Sequence, residues 1–358
     1  MNIEKIDVNF ASKQVKAEGE TVSYTLPCAP FDLYGVSFDE ENQRFVRMDL
    51  DVAKRVSEKV LNLAKHTSGG RVRFSTDSNF FGVTVTYDSF NRMSHMPLVG
   101  SSGMILLEEK EDGGLRLIQC VKPSYRYETG YTATVKLPGG AMRNYILYLP
   151  LYNVINSIQI ELDAGARVEG GKKYRDEHPI VYYGSSITQG GCASRPDTCY
   201  QAHISRWNGI DYINLGFSGN GRGEQAMAEY LGKIPCSLFV MDYDHNAPNV
   251  EHLKKTHFAF YETFRKLQPD TPILMISMPD YDRIVAEAKE REAIIRKSYR
   301  KARAIGDKNV YFLAGKTLFG KEDRVICTVD NVHPNDLGFY RMAKKIYQKM
   351  KKIDQKFQ

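Results

Sequence analysis

The stretch I-V-Y-Y-G-S-S-I-T-Q-G, residues 180–190, decides the fold. Its first four residues are an unbroken apolar run, as in a strand buried on both faces, and a glycine-flanked polar turn follows at once. Working outward, the periodicity then alternates. Cys199 to Trp207 reads as a helix, Ile210 to Leu215 as a strand, Glu224 to Leu231 as a helix and Ser237 to Met241 as a strand. Val250 to Leu267 is helical, Pro272 to Met278 a strand, Ile284 to Ala304 helical, Val310 to Leu313 a strand and Leu337 to Lys352 helical. Strands that alternate with helices predict a parallel sheet with helices on both faces.

Upstream of residue 180 the pattern is different. From about Thr21 to Glu169 it consists of short β-rich runs such as RVRFSTDS, FFGVTVTYD, MILLEEK, LRLIQCV, YTATVKL, NYILYLPLY and SIQIEL. Turn signals separate them, at Ser68-Gly69-Gly70, Asp112-Gly113-Gly114 and Pro138-Gly139-Gly140. This spacing predicts a β-sandwich, with Val52 to Ala64 as a helix across one end. The polar stretch Gly170 to Glu177 is the expected linker, giving domains of residues 1–172 and 173–358. No internal repeat or low-complexity segment interrupts either half.

The chain has 358 residues, of which 42% are hydrophobic and 26% charged, close to globular averages. No run of eighteen apolar residues occurs, and the start MNIEKIDVNF lacks a signal peptide's basic flank and apolar core, so a cytoplasmic protein is expected. The net charge of +6 includes a cluster at Lys344, Lys345, Lys349, Lys351 and Lys352. On a helix that cluster reads as a solvated face, and neither a nucleic acid nor a membrane partner is expected. The six cysteines, Cys28, Cys120, Cys192, Cys199, Cys236 and Cys327, show no C-x-x-C pair and no zinc spacing, and are expected as free thiols.

Four segments of the second half carry chemistry. They are G-S-S-I-T-Q-G around Ser186, N-L-G-F-S-G-N-G ending at Gly221, D-Y-D-H-N ending at Asn246, and D-N-V-H-P from Asp330. A serine hydroxyl becomes a useful nucleophile when an imidazole takes its proton, and the imidazole needs a carboxylate to fix its tautomer and orientation. Ser186, His333 and Asp330 supply that set. The backbone N–H groups of Ser186 and Gly219 and the amide of Asn246 are the donors for the oxyanion that develops in acyl transfer. In open parallel sheets, ligand chemistry gathers at the carboxyl ends of the strands, where Ser186, Gly219 and Asn246 all fall. The reading is a serine esterase that needs no metal or organic cofactor.

Other readings of the same residues are weaker. G-F-S-G-N-G-R-G lacks the P-loop lysine and the G-x-G-x-x-G order of nucleotide-binding loops. Asp242, Asp244, His245 and His333 could be arranged as metal ligands, but adjacent residues at a strand end point differently and no H-E-x-x-H is present. Asp244 reads instead as an acceptor that orients the Asn246 loop. Arg195 either faces the pocket or forms a surface salt bridge, and Tyr243 is a candidate for the pocket wall. Trp207 reads as core.

These motifs resemble the SGNH hydrolases, the GDSL-like esterase superfamily, across the whole second half. The resemblance implies a three-layer, flavodoxin-like hydrolase domain with Ser186 as nucleophile, Gly219 and Asn246 in the oxyanion hole, and Asp330 and His333 in the D-x-x-H-P block. Ser185 stands where the family has aspartate. The fuller string Y-G-S-S-I-T-Q-G-G-C-A-S-R-P-D, with H-T-S-G-G-R-V-R-F-S-T-D-S and M-P-L-V-G-S-S-G upstream, is similar to a bacterial subgroup with an N-terminal, jelly-roll-like β-sandwich. That subgroup's G-x-D-L-Y signature falls near Gly103 to Leu107, where this chain has G-M-I-L-L, while P-F-D-L-Y-G from Pro30 reads as a separate strand. The resemblance implies deacetylation of acetylated sugars or oligosaccharides, with self-association left open. A lipase or lysophospholipase is the alternative, disfavoured because no apolar surface for acyl chains is legible in the sequence. A catalytically silent carbohydrate-binding protein is the other, opposed by the intact Ser186, Asn246, Asp330 and His333.

Overall fold

The structure, a computed structural model, describes residues 6–7, 14–124, 127–280 and 282–358. Its first half holds β1 (Thr21–Leu26), β2 (Asp32–Tyr34), β3 (Ser37–Asp39), β4 (Arg44–Val46), α1 (Leu50–Val56), α2 (Glu58–Ala64), β5 (Arg71–Thr76) and β6 (Phe80–Tyr87). Then come α3 (Leu98–Ser102), β7 (Met104–Glu109), β8 (Leu115–Val121), β9 (Gly130–Lys136), β10 (Arg143–Tyr148), β11 (Ile155–Asp163) and β12 (Val168–Gly170). One antiparallel sheet runs β1-β11-β6-β9 and the other β12-β5-β10-β7-β8, with β2 also paired to β5. Phe74, Phe81, Val83, Leu106, Leu147 and Ile160 fill the space between them.

The second half holds β13 (Ile180–Gly184), α4 (Ser186–Gln189), α5 (Tyr200–Asn208), β14 (Tyr212–Gly216), α6 (Gln225–Leu231) and β15 (Leu238–Asp242). It continues with α7 (Val250–Leu267), β16 (Ile273–Ile276), α8 (Val285–Ala304), β17 (Val310–Leu313) and α9 (Asp336–Met350). The parallel sheet has the order β14-β13-β15-β16-β17. Counted within this half the order is 2-1-3-4-5, the flavodoxin-like winding, whose switch point lies beside its first strand. Gly184 is level with Gly216 on one side and Asp242 on the other, so the loops after β13, β14 and β15 leave from one edge.

Two sequence expectations change. The helix of Val52 to Ala64 is two helices, because Ser57 takes an extended conformation and caps α2 through a bond from Val60 N–H at 3.1 Å. Nor do they cross the end of the sandwich. Ala53, Val60 and Ala64 pack with Met227, Leu231 and Phe239 against the parallel sheet, so the first half supplies part of a helical layer to the second.

The contact between halves is extensive because the β7 and β10 strands have two apolar faces. Met104, Leu106, Tyr145 and Leu147 point into the sandwich, whereas Ile105, Leu107, Ile146 and Tyr148 join Ile180, Tyr182 and Tyr200 beneath the parallel sheet. Arg71 adds an ion pair to Asp211 and lies 3.8 Å from the ring centroid of Tyr212. The polar stretch from Gly170 is tied down as well. Asp32 accepts from Gly171 N–H at 3.0 Å and from Lys173 Nζ at 2.6 Å, and Tyr34 meets Tyr174 edge to face. The D-L-Y of residues 32–34 is thus a short strand that fastens the connection, while Gly103 to Leu107 leads into the buried β7.

Candidate active site

Ser186 is the first residue of α4, a single turn that starts immediately beyond β13. Ser185 caps it. Its hydroxyl accepts from Ile187 N–H at 3.1 Å, and its own N–H donates to Thr188 Oγ1 at 3.2 Å. That capping role is what the serine at this position provides. Gly216 lets β14 approach the turn, since a Cβ there would lie 2.2 Å from Gln189 N.

Ser186 Oγ is 2.9 Å from His333 Nε2, and His333 Nδ1 is 2.7 Å from Asp330 Oδ2. The loop before α9 fixes the pair locally, because Asp330 Oδ1 accepts from the His333 N–H at 2.8 Å and the Val332 N–H at 3.1 Å. Burial alone would raise the Asp330 pKa, but these bonds outweigh it and hold the carboxyl at about 2. The carboxylate is therefore ionised and able to stabilise an imidazolium.

Asn246 lies in the turn after β15, and its amide donates one hydrogen to Phe217 O at 2.8 Å, leaving the second. Gly219 sits at φ +69, a left-handed conformation that suits glycine, with open space where a side chain would be. Among the described residues, the backbone N–H groups of Ser186 and Gly219 have no hydrogen-bond acceptor. A cavity of about 320 Å³ opens beside Gly219 and Asn246, lined also by His245, Arg283, Glu287 and Arg291. A second, of about 660 Å³, lies toward the Asp330 loop, between Met93, Met96 and Leu98 of the sandwich and Ser194, Val329 and Asn335.

Tyr243 does not reach either cavity. Its ring is 1% exposed, packed against Tyr183 and Phe260, and its hydroxyl pairs with Thr256 at 2.9 Å, so the pocket-wall expectation is corrected. Arg195 resolves to the salt bridge, with both arms on Asp197 at 2.9 and 2.6 Å. Trp207 packs at the edge of a core with His203, Tyr340 and Tyr347. Asp242, Asp244 and His245 do not converge on His333. Asp242 accepts from Tyr200 and Thr188 at 3.1 and 3.3 Å, Asp244 from Met278 N–H at 3.1 Å, and His245 Nε2 pairs with Asp280 at 3.0 Å.

Two supporting residues lay outside the sequence reading. Arg47, from the end of β4 in the sandwich half, is fully buried without a carboxylate partner among the described residues. It donates to Asn214 O and Gly216 O, both at 2.9 Å, to His66 O at 2.8 Å and to Leu63 O at 2.7 Å, and its charge lies 5.1 Å from the Phe217 ring. Burial lowers its pKa to about 9. Gln189 Oε1 accepts from Ser218 N–H at 3.0 Å while its amide donates to Leu151 O of the sandwich half at 3.2 Å. Gln189 therefore holds the Phe217–Gly219 loop itself, and Arg47 holds the end of β14 that leads into it. The one sequence signal for Arg47 is a cation in the otherwise apolar run F-V-R-M, which must find acceptors when buried.

Residues 177–351 match the profile of the GDSL-like Lipase/Acylhydrolase family, and residues 24–168 that of the N-terminus of SGNH-hydrolase-type esterases. Among solved structures, a Bacteroides ovatus protein described as a GDSL-like lipase is 29% identical, with TM-score 0.83, over 93% of this chain and 98% of its own. A salicylyl-acyltransferase from a tetracycline biosynthetic pathway is 20% identical, with TM-score 0.76, over 94% and 98%. An acetyl xylan esterase from the rumen bacterium Butyrivibrio proteoclasticus shares the fold at 12% identity and TM-score 0.58, over 94% and 100%. No curated protein matches the chain.

Proposed function

This chain belongs to the GDSL-like, or SGNH, hydrolases and is an ester hydrolase, and we propose that Ser186 is its nucleophile and a short-chain ester of a saccharide its substrate. The observation that carries the reading is the unbroken relay from Ser186 Oγ to His333 at 2.9 Å and from His333 to Asp330 at 2.7 Å. The same relay opposes a catalytically silent binding protein.

In the mechanism, His333 Nε2 takes the Ser186 proton as Oγ attacks the ester carbonyl carbon, while ionised Asp330 steadies the imidazolium through Nδ1. The carbonyl oxygen becomes an oxyanion that accepts from the N–H groups of Ser186 and Gly219 and from the free hydrogen of the Asn246 amide. His333 then returns the proton to the leaving alcohol oxygen, the C–O bond breaks, and an acyl-serine remains. Water, deprotonated by His333, attacks that carbonyl; collapse releases the acid and restores the Ser186 hydroxyl.

Two observations support a small acyl group and a sugar. The cavity next to Gly219 and Asn246 is about 320 Å³, and its lining sets Arg283, Glu287 and Arg291 beside Met278 and Ile284, so a long alkyl chain would desolvate charged groups there without compensation. The protein also shares its two-part fold with an acetyl xylan esterase. One observation favours the lipase reading instead. Val325, Ile326 and Val329 are exposed on the segment before Asp330, with Val325 83% accessible, so an apolar surface that was not legible in the sequence does lie near the site.

Hydrolysis of 4-nitrophenyl acetate, butyrate and octanoate, together with acetate release from acetylated xylo-oligosaccharides, separates the readings. Turnover that falls with chain length, is lost in Ser186→Ala and extends to the acetylated sugars is the expected result. A preference for octanoate would transfer the assignment to a lipase, and activity retained by Ser186→Ala would remove the nucleophile.

A further inference from the structure

Two groups beside the relay are not used in the proposed ester hydrolysis. His95, from the segment between β6 and α3, has its ring centroid 5.8 Å from that of His333. Cys192, just past the nucleophile turn, is a buried free thiol whose backbone sits at φ 72, where a residue other than glycine is uncommon. One donor atom from each of His95, Cys192, Asp330 and His333 falls within a cluster no wider than 4.8 Å. The four come from three separate segments in the two halves of the chain.

The donor set is selective. Two imidazoles, one thiol and one carboxylate suit a borderline-soft cation such as Zn²⁺, whereas Mg²⁺ and Ca²⁺ want oxygen throughout. Tetrahedral ligation at about 2.0–2.3 Å places ligand atoms roughly 3.3–3.8 Å apart. The cluster has to contract by about 1 Å from its present span to reach that geometry, and the exposed His95 side chain is free to make the movement.

We propose that His95, Cys192, Asp330 and His333 form an inhibitory site for a zinc-class divalent cation. The cation forms a bond to sulfur as the Cys192 S–H bond breaks and its proton leaves to water, with no change of oxidation state. Inhibition follows whichever nitrogen of His333 is used. A cation on Nε2 occupies the lone pair that accepts the Ser186 proton; a cation on Nδ1 displaces that proton to Nε2, so the ring again has no acceptor facing the serine. The inhibitory consequence rests on the esterase reading, but the binding does not.

The test uses the full chain after chelator treatment, titrated with Zn²⁺ and, for spectroscopy, Co²⁺. The expected result is one Zn²⁺ per chain by calorimetry, and a thiolate-to-cobalt charge-transfer band present in the wild type and absent in Cys192→Ala. Esterase activity should be lost with Zn²⁺ and restored by EDTA. The ratio of rates with and without Zn²⁺, taken within each variant, should need roughly 10-fold or more Zn²⁺ to halve in Cys192→Ala and in His95→Ala. His95 is exposed, so its variant keeps the test open if the cysteine variant fails to fold. Absence of the cobalt band, or half-inhibition at the same Zn²⁺ concentration in both variants and the wild type, overturns the proposal. A cobalt band in a protein without esterase activity would leave the cation site standing and remove the esterase reading.

Discussion

The two sides of Ser186 are built in different ways. On the side of the base, a single loop carries both Asp330 and His333, and its own backbone N–H groups hold the carboxylate in place. On the oxyanion side, Ser186, Gly219 and Asn246 come from the ends of three neighbouring strands, and Arg47 and Gln189 tie the end of β14 and the loop after it to the sandwich half. Local order thus suffices for the Asp330–His333 pair, whereas its meeting with Ser186 and the placing of the proposed oxyanion donors depend on tertiary assembly. In this reading the sandwich is part of the catalyst's frame.

The sharpest way to break the comparison is to remove one group from each side. His333→Ala should lower kcat by roughly 10⁶, as loss of a triad base does, while Asn246→Ala should lower it by about 10²–10³, as loss of one oxyanion donor does. Steady-state rates on 4-nitrophenyl acetate decide it, and equal losses would mean that the two sides do not act separately. A smaller effect tests the long-range brace. Arg47→Met removes four bonds to carbonyls without placing a new charge, and kcat should drop by about 10–10² with KM little changed, since a displacement of the donors by a fraction of an ångström weakens the transition state more than the bound ester. A normal kcat in a folded Arg47→Met protein would confine the oxyanion side to its strand ends.

The smallest expected effect concerns stability beneath the nucleophile turn. Burial, helped by the charge of Asp244, raises the Asp242 pKa from 3.8 to about 8, against the bonds from Tyr200 and Thr188. Because the folded state holds its proton more tightly than the unfolded state, the contribution is fully present below about pH 4 and is lost as pH rises through about 8. Asp242→Asn keeps an acceptor for Tyr200 and Thr188 and should flatten the fall in Tm over that interval, by roughly a few degrees. An unchanged Tm profile would mean that Asp242 is already ionised in the fold.

Much of this arrangement was legible in the chain. The apolar run of residues 180–183 and the regular exchange of strands and helices after it required a parallel sheet, and short spacings placed Ser186, Gly219 and Asn246 just beyond strand ends. Asp330 and His333 were readable because three residues on one loop bring them together without any other part of the fold. Tyr243 was misread because sequence spacing does not tell which side of a strand end faces the core; here aromatic neighbours claim the ring. Arg47 and His95 were missed because each lies against a residue more than a hundred positions away, Asn214 and His333, and no local pattern encodes such a contact.

The double-sided strands mark the same boundary. M-I-L-L and Y-I-L-Y read as β-rich runs of a sandwich, and nothing in them says that every second residue packs against the parallel-sheet half. By itself the sequence determined the two fold classes and singled out Ser186, Asp330 and His333 as candidates for a relay, because periodicity, turn residues and close spacing act over a few residues. Only the tertiary structure decided that α1 and α2 cover the parallel sheet, that Arg47 holds the end of β14 and that His95 meets Cys192 at the relay. Those pairings are set by which apolar faces and buried charges find partners once the whole chain has closed, and that choice is made by the sum of distant contacts.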